Sequence, residues 1–257
     1  MSELKALIFD VDGTLADTEK DGHRVAFNRA FEKAGLDWSW SVELYGQLLK
    51  VTGGKERIRH YLDDYNREFT RPDNLDEFIA GLHKSKTAFY TQMLSEGVIP
   101  LRQGVRRLIL EAKEAGMRMA IATTTTPANV SALLVHALDS DAESWFEVIA
   151  AGDIVPAKKP AADIYLYTLK EMGLQADECL AFEDSHNGVL SSIGAELPTI
   201  ITVNEYTLDH DFSGASIVLD NMGEPERGFN VLSGFEPEEK YLNMNTLKQI
   251  HQQAITK

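Results

Sequence analysis

The hydrophobic pattern opens on a short apolar run, Ala6-Leu7-Ile8-Phe9, that stops at Asp10. An uninterrupted run of this length predicts a buried strand. Beyond Thr14 the period changes to that of a helix, with Val25, Phe27, Ala30 and Phe31 on one side and Gly35 as its end. Further helices are expected over about 42–50, from Lys55 after the Gly53-Gly54 break, and from an Asn74 or Asp76 cap through Leu94, where Phe78, Leu82, Ala88, Phe89 and Met93 form an apolar stripe. No strand pattern occurs between about 17 and 92, so this block reads as a small helical bundle inserted after the first strand. From Gly104 onward strands and helices alternate. Strands are expected at 117–122, 146–151, 179–182, 199–203 and 215–219. Helices are expected at 105–115, 128–136, 163–172, 185–195 and from about 243. Such alternation predicts an α/β domain with a mostly parallel sheet covered on both faces. The expected division is 1–16 plus 93–257 for the α/β core and 17–92 for the helical insert.

Polar residues follow three of the predicted strands at once: Asp10, Thr123, and the pair Glu183-Asp184. In open α/β sheets ligands bind beyond the carboxyl ends of the strands, so a site at that edge is the leading hypothesis. Asp10 and Asp12 stand two apart and share a side if extended geometry persists through Val11. Their repulsion is relieved by a divalent cation or by a proton on Asp12, and a polar strand end running into a turn is the plainer reading. A phosphate monoester needs a nucleophile, a proton for the leaving oxygen, a cation and orienting donors. Asp10 can be the nucleophile and Asp12 the acid and base. Thr123, with the N–H groups of Thr124 and Thr125, can hold phosphate, although a threonine here can equally cap the next helix. Lys159, stiffened by Pro160, can offset the carboxylates, while a solvated Lys158-Lys159 pair is the alternative. Asp10, Asp12 through its backbone carbonyl, Glu183 and Asp184 form an oxygen set suited to Mg²⁺. The histidines show no zinc-like spacing.

Composition narrows the partners. The chain has 257 residues and a net charge of −15, which leaves no basic excess for nucleic acid. A small phosphorylated substrate remains compatible, because a few cations can reverse the field in one cleft. Cys179 is the one cysteine and is expected in the core. No signal-like segment or membrane-length apolar run is seen, so a cytoplasmic protein without a membrane partner is expected. A monomer is the expected state.

The motifs carry a resemblance. Asp10-Val11-Asp12-Gly13-Thr14 resembles the first motif of the haloacid dehalogenase-like hydrolases, Thr123 the second, Lys159 in KKPAADIY the third, and Glu183-Asp184-Ser185 with Gly188 the fourth. They occur in the family's order. The resemblance implies a Rossmann-like core with an inserted all-helical cap after the first strand. It also implies Asp10 as the residue that becomes aspartyl-phosphate, Asp12 as general acid and base, Thr123 and Lys159 as phosphoryl-binding catalytic groups, and Mg²⁺ as cofactor. Ala161-Ala162 stands where relatives often have Ser-Pro or Pro-Pro.

Selection among sugars should come from the cap. Glu19 and His23 lie four apart on one helix face, and Gly54, Lys55 and Arg57 occupy a turn-to-helix start that suits a second phosphate. Arg71, His83, Lys84 and Lys86 are further cations of interest. A charged surface helix start is the plainer alternative. The stretches ADTEKDGHRVAFNRAF, TGGKERI, LHKSKTAFY, IATTTTPANV and VIAAGDIVPAKKPAADIYLYTL are similar to the CbbY group, phosphatases associated with carbon-fixation gene clusters and hence with the Calvin cycle. That resemblance implies removal of the C1 phosphate of xylulose-1,5-bisphosphate to give xylulose-5-phosphate. It makes Glu19, His23, Gly54, Lys55, Arg57, Thr123, Thr124 and Lys159 substrate contacts, with Lys55 and Arg57 at the C5 phosphate. A phosphomutase like β-phosphoglucomutase, a phosphoglycolate phosphatase and a noncatalytic phosphometabolite-binding protein are the alternatives.

Overall fold

The computed structural model describes residues 2–51 and 53–256, so Thr52 of the TGGKERI stretch lies outside the described residues. The chain forms two compact units, Met1–Asp17 with Pro100–Lys257, and Thr18–Ile99. The second unit extends beyond position 92 because Met93, Leu94 and Ile99 are all buried, which continues the apolar stripe past that point.

The chain enters through β1 (Ala6–Phe9), all four residues of which are buried. The inserted unit then begins with a wide helical turn, Thr18–His23, and continues as α1 (Arg24–Lys33), α2 (Val42–Leu48), α3 (Gly54–His60) and α4 (Leu75–Ser95). Ser41 caps α2 and Asn74 caps α4 through side-chain oxygens that accept from backbone N–H groups. The interior is aromatic. The Trp40 ring lies tilted 4.7 Å from Phe27 and edge-on 4.9 Å from Phe31, and Trp38 lies 5.3 Å from Phe31. Asn28 fixes the loop bearing Trp40 by bonding both its N–H and its carbonyl.

The α/β unit continues with α5 (Val105–Glu114), β2 (Arg118–Thr123), α6 (Pro127–Leu133), β3 (Val148–Ala151), α7 (Asp163–Met172), β4 (Cys179–Glu183), α8 (His186–Gly194), β5 (Thr199–Thr202), β6 (Ile217–Leu219), β7 (Val231–Gly234) and α9 (Met244–Ile255). The sheet order is β3-β2-β1-β4-β5-β6-β7, parallel except for the β6–β7 pair. This is the α/β architecture with a helical insert after the first strand that the pattern predicts. β7 was not expected. α6 is shorter than the expected 128–136 helix because the chain widens into a looser turn over Leu134–Leu138.

Strand side chains alternate between the two faces. Ala6, Ile8, Ala120, Ala122, Cys179 and Ala181 pack with Ile164, Tyr165, Leu169 and Met172 of α7 on one face. The small alanines let α7 approach the sheet closely, and Tyr165 thereby reaches the carboxyl edge of the strands. Among the described residues, no helix is long and apolar enough to cross a membrane.

Candidate active site

The site begins with register. β1 lies between β2 and β4, with Phe9 opposite Ile121 on one side and Phe182 on the other. All three strands run the same way, so Asp10, Thr123 and Glu183 emerge at one edge, where the order of connection reverses about β1. Asp10, Glu183 and Asp184 are buried, and each offers an oxygen to a group whose atoms all lie within 4.8 Å of one another.

Lys159 is brought there by the loop between β3 and α7. Its Nζ donates to Asp10 Oδ1 at 2.6 Å, to Glu183 Oε1 at 2.5 Å and to the Ala122 carbonyl at 2.9 Å. Burial would lower the Lys159 pKa, but the Asp10 and Glu183 carboxylates outweigh it and hold the ammonium above its usual range. Tyr165 Oη also donates to Glu183 Oε1, at 2.7 Å. Burial raises the Glu183 carboxyl; Lys159 opposes this and Asp10 adds to it, leaving a net upward displacement. Asp184 is displaced upward by burial and then by the charges of Asp10 and Glu183, while Asn204 Nδ2 donates to its Oδ2 at 2.7 Å.

These donors suit a hard divalent cation. All are oxygens, all are buried, and two glycines keep the space for them. A Cβ on Gly13 would collide with the Asp184 carboxylate, and one on Gly188 would collide with that of Glu183. Each carboxylate has one oxygen engaged within the protein: Glu183 Oε1 by Lys159 and Tyr165, Asp10 Oδ1 by Lys159, and Asp184 Oδ2 by Asn204. The Asp12 carboxylate does not join this cluster. The strand ends at Phe9, Asp12 forms an isolated bridge with Ala16, and Thr14 N–H and Leu15 N–H both turn back to the Val11 carbonyl. Asp12 is half-buried. Thr123 is the last residue of β2 and is 1 % exposed; its Oγ1 accepts from Thr125 N–H at 3.3 Å, and Thr124 is exposed.

The helical unit gathers its own polar set. Tyr45 Oη donates to Glu19 Oε2 at 2.5 Å and accepts from Arg57 Nη1 at 2.8 Å. The Arg57 guanidinium lies 5.1 Å from the Tyr45 ring centre. Lys86 Nζ donates to His23 Nδ1 at 2.9 Å, and the His23 ring lies 3.9 Å from that of Tyr90. Burial, then the Lys86 and Arg57 charges, push the His23 pKa down to about 3 despite Glu19. Burial works against ionised Glu19, but its cationic and hydroxyl neighbours reverse this. Arg57, the Tyr45 hydroxyl and Lys86 are among those neighbours. Gly54 packs where a Cβ would strike the His83 ring, whereas Lys55 is exposed. Sequence reasoning thus placed Glu19 and Arg57 in one set but missed Tyr45, the hydroxyl between them. It also gave no role to Tyr165 or Asn204; the Tyr of the D-I-Y run was the one available signal.

The family model for haloacid dehalogenase-like hydrolases matches residues 4–195. The CbbY protein of Rhodobacter capsulatus is 52% identical over 213 residues, covering 83% of this chain and 91% of that protein. The plasmid CbbY protein of Cupriavidus necator is 48% identical over 222 residues, 86% of this chain and 87% of that one. Among solved structures, a mutant CbbY from Rhodobacter sphaeroides in complex with xylulose-1,5-bisphosphate is 44% identical, with a TM-score of 0.71, and covers 86% of this chain and 96% of its own. With motif residues on three neighbouring strand ends and Lys159 between two of their carboxylates, the chain belongs to the haloacid dehalogenase-like hydrolases, in the CbbY subfamily, and is a phosphatase.

Proposed function

We propose that this phosphatase is a Mg²⁺-dependent sugar-bisphosphatase that removes the C1 phosphate of xylulose-1,5-bisphosphate and releases xylulose-5-phosphate. Asp10 attacks phosphorus in line, forming an Oδ–P bond as the bond from phosphorus to the C1 oxygen breaks. Asp12 gives its proton to that leaving oxygen. It then takes a proton from the water that hydrolyses the aspartyl-phosphate, so the carboxyl ends as it began. Thr123 and the Thr124 N–H orient the phosphoryl group, and Lys159 offsets its charge. Asp10 and Asp184, with Glu183 and the Asp12 carbonyl as further oxygen donors, would hold Mg²⁺, which when bound adds positive charge beside the phosphoryl oxygens.

Glu19, His23, Gly54, Lys55 and Arg57 take the sugar and its C5 phosphate in this reading. Arg57 supports it: the residue is 8 % exposed, and its buried Nε has no hydrogen-bond partner within the protein. A buried guanidinium N–H left open in this way suits an incoming anion. The observation that carries the choice of sugar is the similarity to the CbbY protein solved with that bisphosphate. The same reading makes the protein a cytoplasmic monomer acting beside the Calvin cycle.

The test is phosphate release with product identity across xylulose-1,5-bisphosphate, ribulose-1,5-bisphosphate, phosphoglycolate, fructose-1,6-bisphosphate and β-glucose-1-phosphate. A large kcat/KM preference for the first, with xylulose-5-phosphate formed and activity abolished by EDTA, is expected. Preference for phosphoglycolate, or glucose-6-phosphate formed without net phosphate release, would replace the substrate while keeping Asp10 as nucleophile.

A further inference from the structure

We propose that Arg102 is a positioning residue for Asp12, acting by clamping the turn on which Asp12 stands. This rests on Asp12 being the general acid of the proposed reaction. The side chain of Arg102 is only 8% exposed, yet it meets one carboxylate and is otherwise surrounded by backbone carbonyls and a hydroxyl. Its Nη1 donates to the Gly13 carbonyl, to the Thr202 carbonyl at 2.9 Å and to Thr202 Oγ1 at 3.1 Å. Its Nη2 donates to the carbonyls of Val203 and Asp220, and its Nε faces Asp17 Oδ1 at 3.1 Å. One guanidinium thus ties the loop after β1 to the chain leaving β5 and to the chain just after β6. Only the planar five-donor fork of arginine can reach so many acceptors together.

The Gly13 contact is the important one. Gly13 follows Asp12 directly and has a φ of +84°, a region in which glycine is free and other residues are strained. Side-chain sterics therefore do little to fix this turn, and hydrogen bonds must. The Gly13 N–H donates to the Ala16 carbonyl at 2.8 Å, and the Gly13 carbonyl accepts from Arg102. The Arg102 N–H in turn donates to the Leu15 carbonyl at 2.9 Å, and Ala16 pairs with Leu101. Both peptide groups of Gly13 are held, and with them the Asp12 backbone. Without the fork the turn keeps Asp10, which is secured by β1, but loses its hold on Asp12.

The distinguishing readout is leaving-group dependence. A nitrophenolate leaves with little need of a proton, whereas a sugar or alkyl alkoxide needs one. A misplaced acid therefore costs more on the alkyl substrate, and a general loosening of the site costs the same on both. Single-turnover release of nitrophenol from p-nitrophenyl phosphate, and of alcohol from a sugar phosphate, reads the first step alone. Arg102→Lys is expected to lose about 10- to 100-fold on the sugar phosphate and only a few-fold on the aryl phosphate, in the same direction as Asp12→Asn. Asp17→Ala, which removes the partner of Nε and spares the carbonyl contacts, should show the same selectivity more weakly and serves if Arg102→Lys does not fold. Equal losses on both substrates in a folded Arg102→Lys protein, with Asp12→Asn selective, would overturn this inference alone. An Asp12→Asn protein without selectivity would overturn the acid assignment, and this inference with it.

Discussion

The Lys159 ammonium stands 2.6 Å from Asp10 Oδ1 and is shared with Glu183, so the proposed nucleophile is held by a cation that is itself held by a second strand end. Because its pKa is raised, Lys159 keeps its charge, and its contribution to stability, through the whole neutral range and loses both only in strong alkali. Lys159→Met should therefore lower kcat/KM by about 10²- to 10³-fold through lost charge stabilisation. In EDTA it should also lower unfolding free energy by about 3–5 kcal/mol, since buried carboxylates lose their partner. Mg²⁺ titrated into the variant should restore part of the stability and little of the rate. Urea melts with and without Mg²⁺, beside steady-state kinetics, check both.

The parts of this arrangement that could be read in the sequence share a cause. Residues 6–9, 119–122 and 179–182 are buried apolar runs cut off by a polar residue, so strand and site are marked by the same boundary. β7 lacks that signature. It is a four-residue edge strand, largely exposed, with Leu232 at 52 % and a register shift against β6. Tyr45 was hidden for a different reason. In a helix its ring is one more apolar position, and only the packing shows its hydroxyl between Glu19 and Arg57. Arg57 looked like a surface cation because it sits at a charged helix start, but the aromatic interior of the insert encloses it.

Gly188→Ala offers a case in which local and tertiary effects have opposite signs. Gly188 lies in the first turn of α8, where alanine would ordinarily stabilise by up to about 1 kcal/mol. Here the new Cβ would enter the Glu183 carboxylate, which is fixed by Lys159 and Tyr165. The expected outcome is net destabilisation of about 1–3 kcal/mol from overpacking, with a fall in kcat and a weaker apparent Mg²⁺ affinity. Thermal melts and Mg²⁺ titration of activity would show it; a more stable, fully active variant would mean that Glu183 is free to move.

The helical insert should be acid-sensitive in a window set by His23. Its pKa is pushed down to about 3, chiefly by burial, whereas an exposed histidine in the unfolded chain titrates near 6.5. Below that unfolded value the unfolded chain binds a proton that the folded one refuses, so stability is full above it and falls as pH drops toward the folded value. One such group removes about 1.4 kcal/mol at about pH 5.5, one unit below the unfolded pKa. Glu19, whose carboxyl is held below its usual range, adds loss in the same direction only at lower pH. Trp38 and Trp40 are buried in the insert and supply a fluorescence signal for its unfolding. His23→Gln keeps a neutral group against Lys86 without a proton to gain. Urea melts followed by tryptophan emission at about pH 7.5 and about pH 5.5 should show a drop for the native protein and a smaller one for His23→Gln. Equal drops would assign the acid sensitivity to His83, whose ring is also held below its usual value by burial and by Lys86.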